Sequence, residues 1–258
     1  MYQNKQYRQA KKSRGWIAAV AVFVIFIAVV IGGFFVVQHR NKSTDTTKTP
    51  TEQEASFDKS QFSLTDPASP WLVVNKKRPL NPKQYEPSSL RLPNMSVESS
   101  AMEVNDETAT ALEDLNTAAK NEGIDLVVAS AYRSYDNQVA TYNSVVDGYG
   151  QAEADRISAR PGYSEHQTGW AVDLGAANDS ACRIESCFAD TPEGKWLAAN
   201  AHKYGFIIRY PEGKESVTGY TYEPWHLRYV GKALSEEMHK QNVQTLEEFF
   251  NLPAAPNY

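Results

Sequence analysis

The sequence predicts an α+β domain, a mainly antiparallel sheet flanked by helices, carried behind an N-terminal transmembrane helix. Three observations support this. Helix-like and strand-like stretches are mixed without the strict strand–helix–strand alternation of a parallel sheet. The 258 residues, 41% hydrophobic and 22% charged, suffice for one globular domain of ordinary size plus appendages. Trp16–Val37 is an uninterrupted uncharged run of about 22 residues, long enough to cross a bilayer as a helix.

The N-terminal region divides by composition. Lys5, Arg8, Lys11, Lys12 and Arg14 crowd residues 1–15 without an acidic partner, so this tail stays in the cytoplasm and the C-terminal bulk lies outside. The competing reading of residues 16–37 is a cleaved signal peptide. Its hydrophobic core is usually shorter and is followed by a small-x-small site, whereas this run ends in Gly-Gly-Phe-Phe-Val-Val-Gln-His-Arg, a poor cleavage site. Residues 38–60 are Thr-, Lys- and Glu-rich with little that is apolar, the composition of a disordered tether. Residues 61–258 form the domain. Its proline-punctuated opening from Ser69 to Pro93 reads as an extended arm packed on the rest. The net charge of −5 gives no electrostatic case for nucleic acid, which calls for a basic face.

The elements of the domain follow in order. A helix spans about 105–121, with Leu112, Leu115 and Ala119 on one stripe and Gly123 at the stop. Leu126–Tyr132 reads as a buried strand. A second helix starts near Tyr135 and turns Val139, Tyr142 and Val146 inward. Thr191-Pro192-Glu193 opens another, with the cap residue before a first-turn proline, and Gly205 ends it. Phe206–Tyr210 and Trp225–Val230 read as strands, and short helices close the chain between Ala233 and Phe250. No internal repeat is visible.

The chemistry concentrates in two stretches. Ser164-Glu165-His166-Gln167-Thr168-Gly169-Trp170-Ala171-Val172-Asp173 places a histidine and an aspartate seven residues apart. Glu223-Pro224-Trp225-His226 adds a second imidazole and a second carboxylate. Taken singly, His166, Asp173 and His226 are each more often structural hydrogen-bonding residues; taken in their ordered motifs they suit a catalytic zinc, which takes three protein ligands and keeps a fourth position for water. Two neutral imidazoles and one carboxylate leave the ion net positive, able to polarise a carbonyl and acidify its water. Glu223 is then the general base; a fourth metal ligand or a surface carboxylate is its plainer reading. Period-2 alternation makes the stretch around Asp173 a strand, with Asp173 on the less hydrophobic face near its end, and His166 in the loop leading in. Residues three apart point to opposite faces of a regular strand, so Glu223 and His226 converge only if Pro224 marks a strand start or irregularity. Glu165 adjoins a ligand but should diverge from it, which ranks it behind Glu223 as a base. His202 and His239 read as ordinary surface residues.

The pattern Ser164-x-His166-x-x-Gly169-x-Ala171-x-Asp173, followed by Glu223-x-Trp225-His226 and preceded by Ser130-Ala131-Tyr132-Arg133-Ser134 and Gln138, resembles the VanY-type zinc D-alanyl-D-alanine carboxypeptidases, whose relatives include L,D-carboxypeptidases. The resemblance runs from about Trp71 to about Leu252. It implies a Zn²⁺ enzyme that removes a terminal D-alanine from peptidoglycan stem peptides outside the cell. L,D-specificity is the alternative within the class, and a non-catalytic cell-wall-binding domain is the alternative outside it. Arg133, emerging from a buried strand, would pair with the substrate's terminal carboxylate or stabilise the oxyanion; a surface arginine capping Asp136 is the plainer reading. Ser164, Gln138 and Trp225 follow from the resemblance as substrate contacts, though Trp225 equally suits the core. Cys182 and Cys187 are the only cysteines, and an even count in an exported domain favours a disulfide. A metal site is the alternative for this pair, but no second cysteine or histidine pair stands nearby to complete it.

Overall fold

The computed structural model describes residues 57–258. The predicted basic tail, the membrane span and residues 38–56 of the predicted tether lie outside the described residues. Among those that are described, no helix is long and apolar enough to cross a membrane. The packed chain begins before residue 61. Phe57 stacks on Trp71 with ring centroids 5.5 Å apart and meets Phe249 edge-on at 5.7 Å.

Four short strands form one antiparallel sheet: β1 (Leu126–Ser130), β2 (Ala171–Ala176), β3 (Phe206–Ile208) and β4 (His226–Tyr229), in the order β1-β2-β4-β3. The helices are α1 (Asp106–Asn121), α2 (Tyr135–Tyr149), α3 (Gln151–Ile157), α4 (Pro192–Asn200), α5 (Glu215–Thr218), α6 (Lys232–Lys240) and α7 (Leu246–Phe249). α1 follows the expected stripe, with Leu112, Leu115 and Ala119 fully buried. They meet Val128, Val172, Leu174, Leu197, Phe206 and Leu227 in the main core. Burying each leucine contributes roughly 1.5–3 kcal/mol. Thr191 caps α4 by accepting the Gly194 N–H at 3.0 Å, as its sequence foretells.

Strand register sorts the side chains. Asp173 pairs with His226, and Ala171 with Arg228, so these four share one face of β2 and β4. Val172, Leu174 and Leu227 take the other face and join the core. The sequence reading placed Asp173 near the strand's end on a weakly hydrophobic face. It lies instead at the middle, and all six residues of β2 are buried. His166 and His226 lie against Asp173, at 3.3 and 3.2 Å, while Trp71 and Val73 of the arm pack with Ile207, Val230, Leu234 and Phe249 in a second cluster. α2 also departs from expectation. Its buried residues are Gln138 and Tyr142, with Val139 and Val146 only half-buried. A polar residue takes the inner stripe because its amide has partners there. α3 and α5, too short for a clear periodic signal, were not foreseen.

Candidate metal centre and active site

His166 sits on a 3₁₀ turn, Glu165–Thr168, rather than in an open loop. Gly169 ends the turn with φ +72°, and a Cβ there would come within 2.9 Å of Leu90 and 3.0 Å of Asn105. Only glycine meets both demands. Asn105 donates to the Thr168 carbonyl at 2.8 Å, and Thr168 Oγ1 donates to the Glu165 carbonyl at 2.6 Å. The turn is therefore held at both ends.

His166 Nδ1 lies 2.8 Å from the Ala131 carbonyl, which fixes the proton on Nδ1 and leaves the Nε2 lone pair free. That Nε2 is 3.3 Å from Asp173 Oδ2. His226 Nδ1 is 3.2 Å from Asp173 Oδ1 and 3.5 Å from Glu223 Oε2. One donor atom from each of His166, Asp173 and His226 lies within 4.8 Å of the others, and all three residues are buried. The donor set fits a zinc ion. A further sign is Asp173 Oδ1, buried with no hydrogen-bond partner, an arrangement costly unless a cation faces it.

Electrostatics agree with a site built for positive charge. Burial disfavours an ionised Asp173, but the two imidazoles outweigh it and hold the carboxyl well below the ordinary range. Burial also works against charge on His226, yet the nearby carboxylates of Asp173 and Glu165 favour the protonated ring and raise it to about 10 in the metal-free protein. Burial lowers His166, keeping it neutral and able to donate a lone pair. Burial pushes Glu223 up to about 8; Asp173 and Glu165 add to the rise, and His226 and Arg133 oppose it.

These groups open into a cavity of ≈ 640 Å³. Arg133 lines it, fixed by bonds from Nη1 to Gln138 Oε1 at 3.0 Å and from Nη2 to Ser130 Oγ at 2.9 Å. The plainer reading of Arg133, a cap on Asp136, is not what the structure shows. Gln138 also donates to the Ala159 carbonyl at 2.7 Å, so its amide orients Arg133 from the cavity wall. Ser164 is buried on the same wall, and Trp225 is half-buried between cavity and core. Glu223 precedes β4 in a turn closed by the His226 N–H to Glu223 carbonyl bond at 3.2 Å, the irregularity that Pro224 requires. Cys182 and Cys187 form a disulfide. The loop it closes brings Ile184, Glu185 and Ser186 to the cavity.

Glu165 is where the sequence reading falls short. Its side chain is fully buried between Arg209 and Arg228, so it is no rival base. Arg209, Arg228 and Glu247 stand outside the sequence motifs that mark the site. A signal was present, because Arg228 stands two residues after His226 and so shares its face. His202 and His239, expected as ordinary surface residues, stack at 3.5 Å between ring centroids.

An antiparallel sheet thus presents two imidazoles and one aspartate that could hold a metal ion, with a buried glutamate beside them, at an open cavity. Residues 101–232 match the D-alanyl-D-alanine carboxypeptidase (VanY) family model. The protein YodJ of Bacillus subtilis is 37% identical over 93% of this chain and 97% of its own length. The chain belongs to the VanY D-alanyl-D-alanine carboxypeptidase family. Among solved structures it is similar to the LdcB LD-carboxypeptidase, with 42% identity, TM-score 0.67 and coverage of 72% of this chain and 87% of that one. It is also similar to a vancomycin-resistance D,D-pentapeptidase VanY variant from a VanB-type cassette, in complex with Zn(II). There the identity is 32%, the TM-score 0.59 and the coverage 70% and 98%.

Proposed function

We propose that this chain is a zinc carboxypeptidase that removes a C-terminal D-alanine from peptidoglycan stem peptides. The observation that carries the reading is the convergence of His166, Asp173 and His226 with Glu223 and Arg133 in one cavity. His166 Nε2, an Asp173 oxygen and His226 Nδ1 would hold the ion. Zinc so held supplies a Lewis acid for the scissile carbonyl and lowers the pKa of its water. The Arg133 guanidinium, already braced by Gln138 and Ser130, binds the substrate's terminal carboxylate and sets the register of the scissile bond. Glu223 takes a proton from the attacking water and returns it to the departing amine of D-alanine. Ser164 and Trp225 contact the peptide from the cavity wall.

A second reading, L,D-cleavage of tetrapeptide stems, is favoured by the likeness to LdcB, which exceeds that to the VanY structure in both identity and TM-score. We place the enzyme outside the cell on a Trp16–Val37 anchor, a reading that rests on the uncharged run and its basic flank. Incubating the domain with defined tetra- and pentapeptide stems and reading product masses tests the activity. Loss of one alanine from the pentapeptide alone supports D,D-specificity, and loss from the tetrapeptide alone supports L,D-specificity. No product from either refutes the enzyme.

A further inference from the structure

The two arginines beneath the metal centre converge on one glutamate oxygen. Arg209 Nε donates to Glu165 Oε1 at 2.8 Å and Arg228 Nη1 to the same atom at 2.9 Å. Both guanidinium groups are fully buried. Their other donors are also engaged. Arg228 reaches the carbonyls of Pro70, Leu72 and Tyr229 at 2.9–3.0 Å. Arg209 is gripped by both oxygens of Glu247, at 2.8 and 3.0 Å, and Asn75 donates to Glu247 Oε1 at 2.9 Å.

This leaves one carboxylate oxygen of the network unused. Glu247 has partners on both oxygens, whereas Glu165 Oε2 is buried with none. The ring atom facing it is His226 Nε2, 3.6 Å away, which is likewise buried without a partner. Two unpaired polar atoms this close, one a carboxylate oxygen and one a ring nitrogen, need only a few tenths of an ångström to become a hydrogen bond. The opposite nitrogen of the same ring, Nδ1, faces Asp173 and Glu223.

We propose that Glu165 is a positioning residue: braced by Arg209 and Arg228, it accepts the Nε2 proton of His226 and so aims the Nδ1 lone pair at the metal. This rests on the reading of His226 as a ligand. A ligating histidine commonly gives its second nitrogen to a carboxylate, which fixes tautomer and ring angle. Here the carboxylate cannot swing away, because its other oxygen is pinned by two cations in a solvent-free pocket. The Glu165 side chain is fully buried and acts through His226.

The test compares Glu165→Gln with Glu247→Gln. Both remove one carboxylate from Arg209, but only the first changes the group facing His226. Zinc dissociation constants are measured by chelator competition on folded protein. Glu165→Gln should weaken binding by about 10–100-fold, while Glu247→Gln stays close to wild type. Equal weakening in both, or none in a folded Glu165→Gln domain that retains wild-type structure, overturns the positioning role. A wild-type domain with no zinc affinity instead overturns the metal reading on which it rests. Should Glu165→Gln fail to fold, long-range ¹H–¹⁵N spectra of the zinc-loaded wild-type protein decide. A downfield, hydrogen-bonded Nε2 proton on His226 is expected; an Nδ1–H tautomer, or an Nε2 proton at the shift of an unbonded imidazole, overturns the proposal.

Discussion

Glu223→Gln separates the chemistry of this centre from its stability. In the metal-free protein, burial raises Glu223 from 4.5 to about 8. At pH 7 the folded chain therefore holds a proton there that the unfolded chain releases. The sign follows from linkage: the folded state binds more protons, so Glu223 costs stability as pH rises from 4.5, and the cost is complete above 8. At pH 7 the difference of roughly 2.5 pH units amounts to about 3 kcal/mol. Glutamine keeps the shape and cannot ionise, so the metal-free variant should melt above wild type by roughly 6–12 °C at pH 7. Near pH 4 the gap should close. With zinc bound, turnover on a stem peptide should fall by about 10²–10⁴-fold. Zinc content should not change. Melting curves in chelator at both pH values, elemental analysis and product masses make the assay. Lost zinc would make Glu223 a ligand. Unchanged turnover would place the base elsewhere, and a melting gap independent of pH would refute the electrostatic argument.

Alanine at His166, Asp173 or His226 should each abolish stoichiometric zinc, read by elemental analysis, because three donors leave none to spare. Burial would raise Glu247, but Arg209 and Asn75 hold it below the ordinary glutamate value, so its stabilisation is present above pH 4.5 and fades as pH falls through the folded pKa. Removing it by Glu247→Gln strands part of Arg209 and should cost about 3–5 kcal/mol at pH 7 in denaturant titrations, less at acid pH. Reducing the Cys182–Cys187 bond frees a six-residue loop whose closure is worth about 2 kcal/mol by chain entropy. Because that loop carries Ile184, Glu185 and Ser186 on the cavity wall, KM for a stem peptide should rise more than kcat falls.

How much of this was legible depends on the distance over which each feature is encoded. α1 was readable because Leu112, Leu115 and Ala119 repeat at helical spacing and Gly123 ends the run. The candidate ligands His166, Asp173 and His226 were legible from the ordered motifs that carry the family resemblance, and the fold brings one donor atom of each within 4.8 Å of the others. Asp173 was misplaced on its strand because period-2 alternation reports which residues share a face, not what covers that face. What lies against Asp173 is the turn that carries His166 and the neighbouring strand's His226. Gln138 was assigned to substrate, and its role in orienting Arg133 depends on a contact across five residues and another with Ala159. The buried arginines escaped for a related reason. Arg209 and Arg228 look like solvent-facing strand residues until Glu165 and Glu247 are brought against them.

That network bears on what the smallest working unit is. The family match covers residues 101–232 and includes both arginines, but several of their acceptors lie outside it. Pro70 and Leu72 receive Arg228, and Val74 and Glu247 receive Arg209. Cutting the chain to the matched segment would leave two guanidinium groups in the interior with Glu165 as their shared counter-charge. Unpaired buried charge costs several kcal/mol for each ion, against a total stability of roughly 5–15 kcal/mol for a domain. A 101–232 fragment should therefore fail to fold even with zinc supplied, while residues 57–258 should fold and bind it. A fragment that showed a cooperative melt and wild-type zinc affinity would mean that Glu165 alone satisfies both arginines. The arm and α7 would then be accessory to the metal centre instead of part of its support.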